Sequence, residues 1–222
     1  MLKTYEAKKQ KIEDEILDIG NAVVDALELS LKALKEEDLS LLKDIDLSVK
    51  KISNKCNDID KLLVTTLALY SPEAKDLREL VAYLKITNEL VRAGANTKSF
   101  AKIFRKAYSE DLNTKTILEY AVPLHKATIL ALKTTISMIQ EPTSKHIEEK
   151  YQRVIVEESK TDDLYAMIEK NILKLISKNI ELSKEYFDIL SALRKLEKTA
   201  DRAASIANLL LFAEIGGDIE QS

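Results

Sequence analysis

Tryptophan is missing, cysteine occurs once, histidine twice, proline three times and glycine four times in a chain of 222 residues. So few chain breakers, beside an abundance of Leu, Ile, Ala, Lys and Glu, point to long helices. The single thiol, Cys56, excludes an intramolecular disulfide framework and suits a reducing compartment. It stands on the stripe Leu42, Ile45, Val49, Ser53, Cys56, Leu63, Leu67, which makes it a buried structural thiol rather than a reactive one. Aromatic residues are 5% of the total, the formal net charge is −3, and no basic stripe carries interleaved aromatics. That balance excludes a nucleic-acid-binding or polybasic membrane surface. No apolar run approaches the roughly 20 residues that span a bilayer, and the first twenty residues are charged rather than signal-like. A soluble, cytoplasmic protein is expected, with no membrane insertion.

Missing motifs exclude chemistry as well. Neither His125 nor His146 has a glutamate three residues upstream, where Val122 and Thr143 stand, so the Glu-x-x-His signature of di-iron bundle oxidases is not met. The chain holds no glycine-rich phosphate loop and no serine or cysteine nucleophile motif. No catalytic residue is assigned, and the protein is not expected to be an enzyme. His125 reads as a packing or helix-surface residue, and Tyr151 and Tyr165 as packing at a core edge.

What is present is helical periodicity. Ile12, Ile16, Ile19, Val23, Ala26, Leu27 and Leu34 recur at helical spacing between about Thr4 and Lys35. A break follows at Glu37-Asp38-Leu39-Ser40, with Asp38 as an N-cap, and a second helix runs to about Tyr70. Ser71-Pro72-Glu73 reads as a restart, Ser71 capping and Pro72 in the first helical position. The third helix runs to about Tyr108, with Gly94 inside it, a costly residue there that close helix approach explains. After a polar linker over 109–114 come helices of about 114–139, 145–177 and 183–216. The break Glu141-Pro142-Thr143-Ser144 separates the first two of these, and Gly216-Gly217 closes the last. Two sets of three suggest an internal duplication, in which Leu90 matches Leu196, Val91 matches Glu197 and Ala95 matches Asp201. The expected fold is all-α, a tandem pair of three-helix bundles over residues 1–110 and 111–222, packed side by side.

Two acidic pairs stand out. Glu197 and Asp201 are four apart on the face Leu190, Glu197, Asp201, Ala204, Leu211. Glu158 and Asp162 have the same spacing one helix earlier, on the face Tyr151, Ile155, Glu158, Asp162, Tyr165, Ile172. Helices joined by a short connection pack antiparallel, so the four carboxylates can converge. Like charges that close do not all stay ionised in a low-dielectric site without a cation. An all-carboxylate set suits Mg, Ca, Mn, Fe or Zn. The competing reading is a solvated face, in which Arg194, Lys198 and Arg202, or Lys160, Arg153 and Lys170, form surface ion pairs worth little.

At these residues the chain resembles the PhoU family of phosphate-transport regulatory proteins. The shared marks are Glu158-x-x-x-Asp162, Leu196-Glu197-Lys198-Thr199-Ala200-Asp201-Arg202 and the lead-in Pro72-Glu73-Ala74-Lys75-Asp76-Leu77-Arg78. In the first half, the family's acids fall at Val49, Ser53, Val91 and Ala95, none of which ligates a metal. The resemblance therefore implies a metal on Glu158, Asp162, Glu197 and Asp201 alone, iron or zinc being favoured, and a metal-free first bundle with its vacated site filled by apolar packing. It also implies a non-enzymatic regulator that binds the ATPase of a phosphate ABC transporter and a phosphate-sensing histidine kinase, restraining uptake and starvation signalling. A homodimer is compatible with this. Two other readings stay open: a helical scaffold or dimerisation protein whose metal is structural or lacking, and a carboxylate-metal hydrolase of phosphate compounds.

Overall fold

The computed structural model describes residues 2–45, 51–141 and 143–216. Six long helices account for most of them: α1 (Leu2–Glu36), α2 (Ile52–Tyr70), α3 (Ala74–Ala107), α4 (Thr114–Ile136), α5 (Ser144–Lys178) and α6 (Ser183–Ile215). Short 3-10 turns occupy Leu39–Lys43 and Ile180–Leu182, and no strand occurs among the described residues. The architecture is all-α, a pair of three-helix bundles. No helix is long and apolar enough to cross a membrane among the described residues.

The apolar periodicity of α1 predicts its buried face well, since all seven of its named residues from Ile12 to Leu34 are buried. Helix ends depart from expectation in three places. Asp38 does cap, accepting a hydrogen bond from the Ser40 N–H at 3.0 Å, but what it opens is the short turn Leu39–Lys43. Ser71 closes α2 instead of opening α3: its φ is 46°, and its N–H donates to the Leu67 carbonyl at 3.1 Å. Pro72 bars α2 from continuing beyond Ser71, and α3 begins only at Ala74, behind the extended N-cap Glu73, so Pro72 is in neither helix. Finally, α4 stops at Ile136 and residues 137–140 form a turn before Thr143 caps α5. Gly216 ends α6 at φ 79°, while Val49, Pro142 and Gly217 lie outside the described residues.

One apolar core runs through both bundles, from Ile16 and Leu27 through Phe100 and Leu124 to Leu196 and Ile206. The most extensive helix contact is between α3 and α6, the third helices of the two bundles, and α1 packs on α4 beside it. His125 lies fully buried at that second junction. Its Nε2 stands 2.7 Å from Ser30 Oγ and 3.0 Å from the Leu27 carbonyl, and its ring meets Phe100 edge-on at 5.1 Å. It is a core residue, held neutral by burial, which lowers its pKa to about 3. Cys56 is buried too, and its thiol is pushed up to about 12 by desolvation. Gly94 permits close packing of α3 on α2, because a Cβ there would come within 3.0 Å of Ile52 Cδ1.

Two buried threonines link α4 to α6. The single hydroxyl proton of Thr128 on α4 is shared between the Leu124 carbonyl of its own helix at 3.0 Å and the Leu196 carbonyl at 3.2 Å, and Thr135 Oγ1 donates to the Ala203 carbonyl at 3.1 Å. The undivided Thr135 bond contributes about 1 kcal/mol. Both helices step seven residues between the contacts, so the two threonines meet carbonyls two turns apart on one face of α6. These bonds bracket Glu197 and Asp201.

Candidate metal centre

A short turn joins α5 to α6, so the two helices run antiparallel, and Glu158, Asp162, Glu197 and Asp201 lie at similar distances from that turn. The structure brings three of the four together. One carboxylate oxygen from each of Glu158, Asp162 and Asp201 lies within 4.8 Å of the others, spanning both helices. Small side-chain rotations bring oxygens at that spacing within the roughly 2.0–2.6 Å coordination shell of a hard divalent cation. Glu197 stands aside from this trio, on the buried side of α6 at 5% exposure.

Burial differs sharply across the group. On α5 the buried face is Ile147, Val154, Thr161, Tyr165, Ile168 and Ile172. Glu158 and Asp162 lie beside that face, not in it: Glu158 is half-buried and Asp162 exposed. Asp201 is half-buried. The trio therefore sits at the edge of the α5–α6 groove, wet on the Asp162 side and closed on the α6 side.

Electrostatics follow from that placement. Burial first, then the neighbouring charges of Asp162 and Asp201, hold the Glu158 carboxyl above its usual range, with Lys198 pulling back. Glu197 is likewise raised, by burial first and by Asp201 next, against Lys198 and Arg194. Four carboxylates face two cations, Arg194 and Lys198, since Arg202 is committed to Glu89, so an added cation would be stabilised there. The donor set fits a metal: all oxygen, three carboxylates, one open side. Nothing in it selects among Mg, Ca, Mn, Fe and Zn.

The bordering cations have defined places. Arg194 Nε is 3.2 Å from Glu197 Oε2, and its guanidinium lies 4.9 Å from the centre of the Tyr165 ring. That oxygen has no well-aligned hydrogen bond, so the contact is an ion pair only. Lys198 Nζ bridges Asp201 Oδ2 at 2.5 Å and Glu197 Oε1 at 3.4 Å. Arg202 points away, Nη1 donating to Glu89 Oε2 on α3 at 3.0 Å, with Nη2 3.8 Å from Asp201. Lys160 pairs with Glu157 at 3.3 Å. The competing reading of the sequence made Arg194 and Arg202 solvated partners of the site acids; the ring beneath one and the cross-bundle acid of the other have no signal in linear spacing.

The corresponding face of the first bundle is different. Ser53 and Ala95 are exposed and Val91 is half-buried, so that face is open surface and is not filled by apolar packing. A polar cavity of about 500 Å³ lies elsewhere, among Glu13, Lys75, Glu79, Tyr83, Glu141 and Glu214. Its charges are largely paired within the protein, Lys75 with Glu214 at 2.5 Å and Lys150 with Glu141 at 2.7 Å, so it reads as a structural seam.

The PhoU domain matches this chain twice, over residues 16–104 and 124–210, which covers both bundles. The chain belongs to the PhoU family. Among relatives, a phosphate-specific transport system accessory protein PhoU homolog of Borreliella burgdorferi is 28% identical over 207 residues, covering 92% of each chain. One from Xylella fastidiosa is 25% identical over 218 residues, covering 96% of this chain and 87% of its own. The fold agrees with solved PhoU structures. That from Pseudomonas aeruginosa superimposes with a TM-score of 0.84 at 18% identity, covering 96% of this chain and all of the other. The phosphate transport system regulatory protein PhoU of Streptococcus pneumoniae gives 0.80 at 20% identity, covering 98% and 100%. The PhoU relatives are named as accessory or regulatory proteins of phosphate transport.

Proposed function

We propose that this protein is a non-enzymatic regulator of phosphate uptake and phosphate-starvation signalling, acting through protein–protein contacts. The observation that carries the reading is the twofold PhoU domain match over both bundles, which ties the whole described architecture to a family of transport accessory proteins. The partners that reading implies are the ATPase of a phosphate ABC transporter and a phosphate-sensing histidine kinase, both met at the cytoplasm. Residues 1–110 and 111–222 serve as two domains, of which the second alone binds a metal. Glu158, Asp162 and Asp201 supply the first ligands, and Glu197 holds the cations that border them. Iron or zinc is the cofactor on family grounds. The metal's contribution is to clamp α5 to α6.

Deleting the gene in the source organism tests this. Starvation-reporter expression should rise in phosphate-replete medium and return to base with the wild-type gene. A reporter and an uptake rate indifferent to the deletion would overturn the assignment.

A second reading is a helical scaffold with a structural metal or none. It is favoured by Lys198 and Arg194, which already neutralise part of the site from within the chain. On that reading a Glu158→Gln/Asp201→Asn gene would restore reporter control fully; on the first it restores control only in part.

A further inference from the structure

Three cations border the carboxylates, and they are held differently. Arg194 rests on the Tyr165 ring, and Arg202 is bonded to Glu89 across the bundle junction. The ion-pair contacts of Lys198 are with site acids, Glu197 and Asp201, and its side chain is 41% exposed. A lysine ammonium on a four-carbon stem reorients at little cost. Lys198 therefore has both a reason to sit in the site and a path out of it.

Resting on the metal-site reading above, we propose that Lys198 sets the cation affinity of this site, its ammonium standing in for the metal and leaving when one binds. Asp201 belongs to the trio whose oxygens lie within 4.8 Å of one another, yet its Oδ2 is also the closest partner of the ammonium. A divalent ion on that carboxylate and an ammonium 2.5 Å from its Oδ2 repel each other at short range. Only one of them occupies Asp201 at a time.

The two occupants also differ in reach. The ammonium touches Glu197 and Asp201 on α6 and acts on Glu158 only at longer range, while Glu158 and Asp162 on α5 form no ion pair among the described residues. A multivalent ion engages both helices and so displaces the lysine. Because the metal-competent state is the fraction in which Lys198 has swung out, the apparent affinity falls by that fraction. Loading then presents a free ammonium at the surface beside the centre.

The test uses the full chain, stripped with chelator and titrated with Mn²⁺ or Zn²⁺. The readouts are bound metal and acylation of individual lysine amines by mass spectrometry. Lys198 labelling should rise several-fold as metal binds, with Lys195 on the same helix unchanged. Lys198→Met should bind roughly three- to tenfold tighter, and Lys195→Met, which removes a charge off the site, should bind as wild type does. Metal bound by the wild type with Lys198 labelling unchanged overturns this inference and leaves the metal site standing. Equal tightening by both lysine variants overturns it too, reducing the effect to bulk charge. No metal bound by any of the proteins overturns the site reading itself. If Lys198→Met does not fold, the labelling of the wild type decides.

Discussion

Arg202 on α6 reaches Glu89 on α3, Nη1 standing 3.0 Å from Oε2, and so ties the helix that carries Glu197 and Asp201 to the other bundle. Both side chains are mostly buried, 20% and 15% exposed. The pair lies on the most extensive helix contact in the molecule.

For that pair a double-mutant cycle of Arg202→Met and Glu89→Gln, read by chemical denaturation, should give a coupling of about 1 kcal/mol, the upper end of the range for exposed ion pairs, because both side chains are mostly buried. A coupling near zero would mean that α3 and α6 are held by apolar packing alone.

His125 makes stability depend on pH in a defined direction. Its folded pKa is lowered to about 3, against an ordinary 6.5. Between those values the unfolded chain takes up a proton that the folded chain refuses. The contribution is whole above pH 6.5 and is lost as pH falls toward 3, about 2 kcal/mol of it between pH 7 and 5. Carboxyls raised by burial, Glu13, Glu158 and Glu197, act oppositely over the acid range. The difference between wild type and His125→Phe isolates the histidine: the variant should lose about 2 kcal/mol less on going from pH 7 to 5. Equal losses would contradict the buried neutral ring.

Glu158 should destabilise the protein when metal is withheld. Burial and the charges of Asp162 and Asp201 disfavour its ionised form. In chelator at pH 7, Glu158→Gln should be more stable than wild type by about 0.2–0.5 kcal/mol, the scale of a like-charge helix pair screened by water. The folded carboxyl takes a proton more readily than the unfolded one, so wild type gains as pH falls and the advantage of the variant shrinks. With metal present the order should reverse, because the variant has lost a ligand. Melting temperatures in chelator and in metal check both signs.

Much of this was legible beforehand, for physical reasons. Helical period alone marks Ile12 through Leu34 as one buried face, and four-residue spacing places each acidic pair on one side of its helix. A short turn fixes α5 and α6 as antiparallel, which is enough to bring Glu158 and Asp162 opposite Asp201. Rotation about a helix axis by a few tens of degrees is not encoded so sharply. It puts Asp162 in solvent and turns Glu197 into the groove, toward Arg194 and Lys198. Ser71 reads as an N-cap because Ser-Pro-Glu is a helix-start pattern, and nothing local shows that it takes a left-handed φ of 46° to close α2. The Arg202–Glu89 bond and the Thr128 and Thr135 bonds to α6 join residues distant in the chain, and local spacing carries no trace of them.

The most direct measurement is elemental analysis of the protein purified without chelator, beside Glu158→Gln/Asp201→Asn. The account predicts metal in the wild type and its loss from the variant, with the helical fold retained in both. A metal-free wild type, or a variant that keeps its metal, would contradict a cation clamped between α5 and α6.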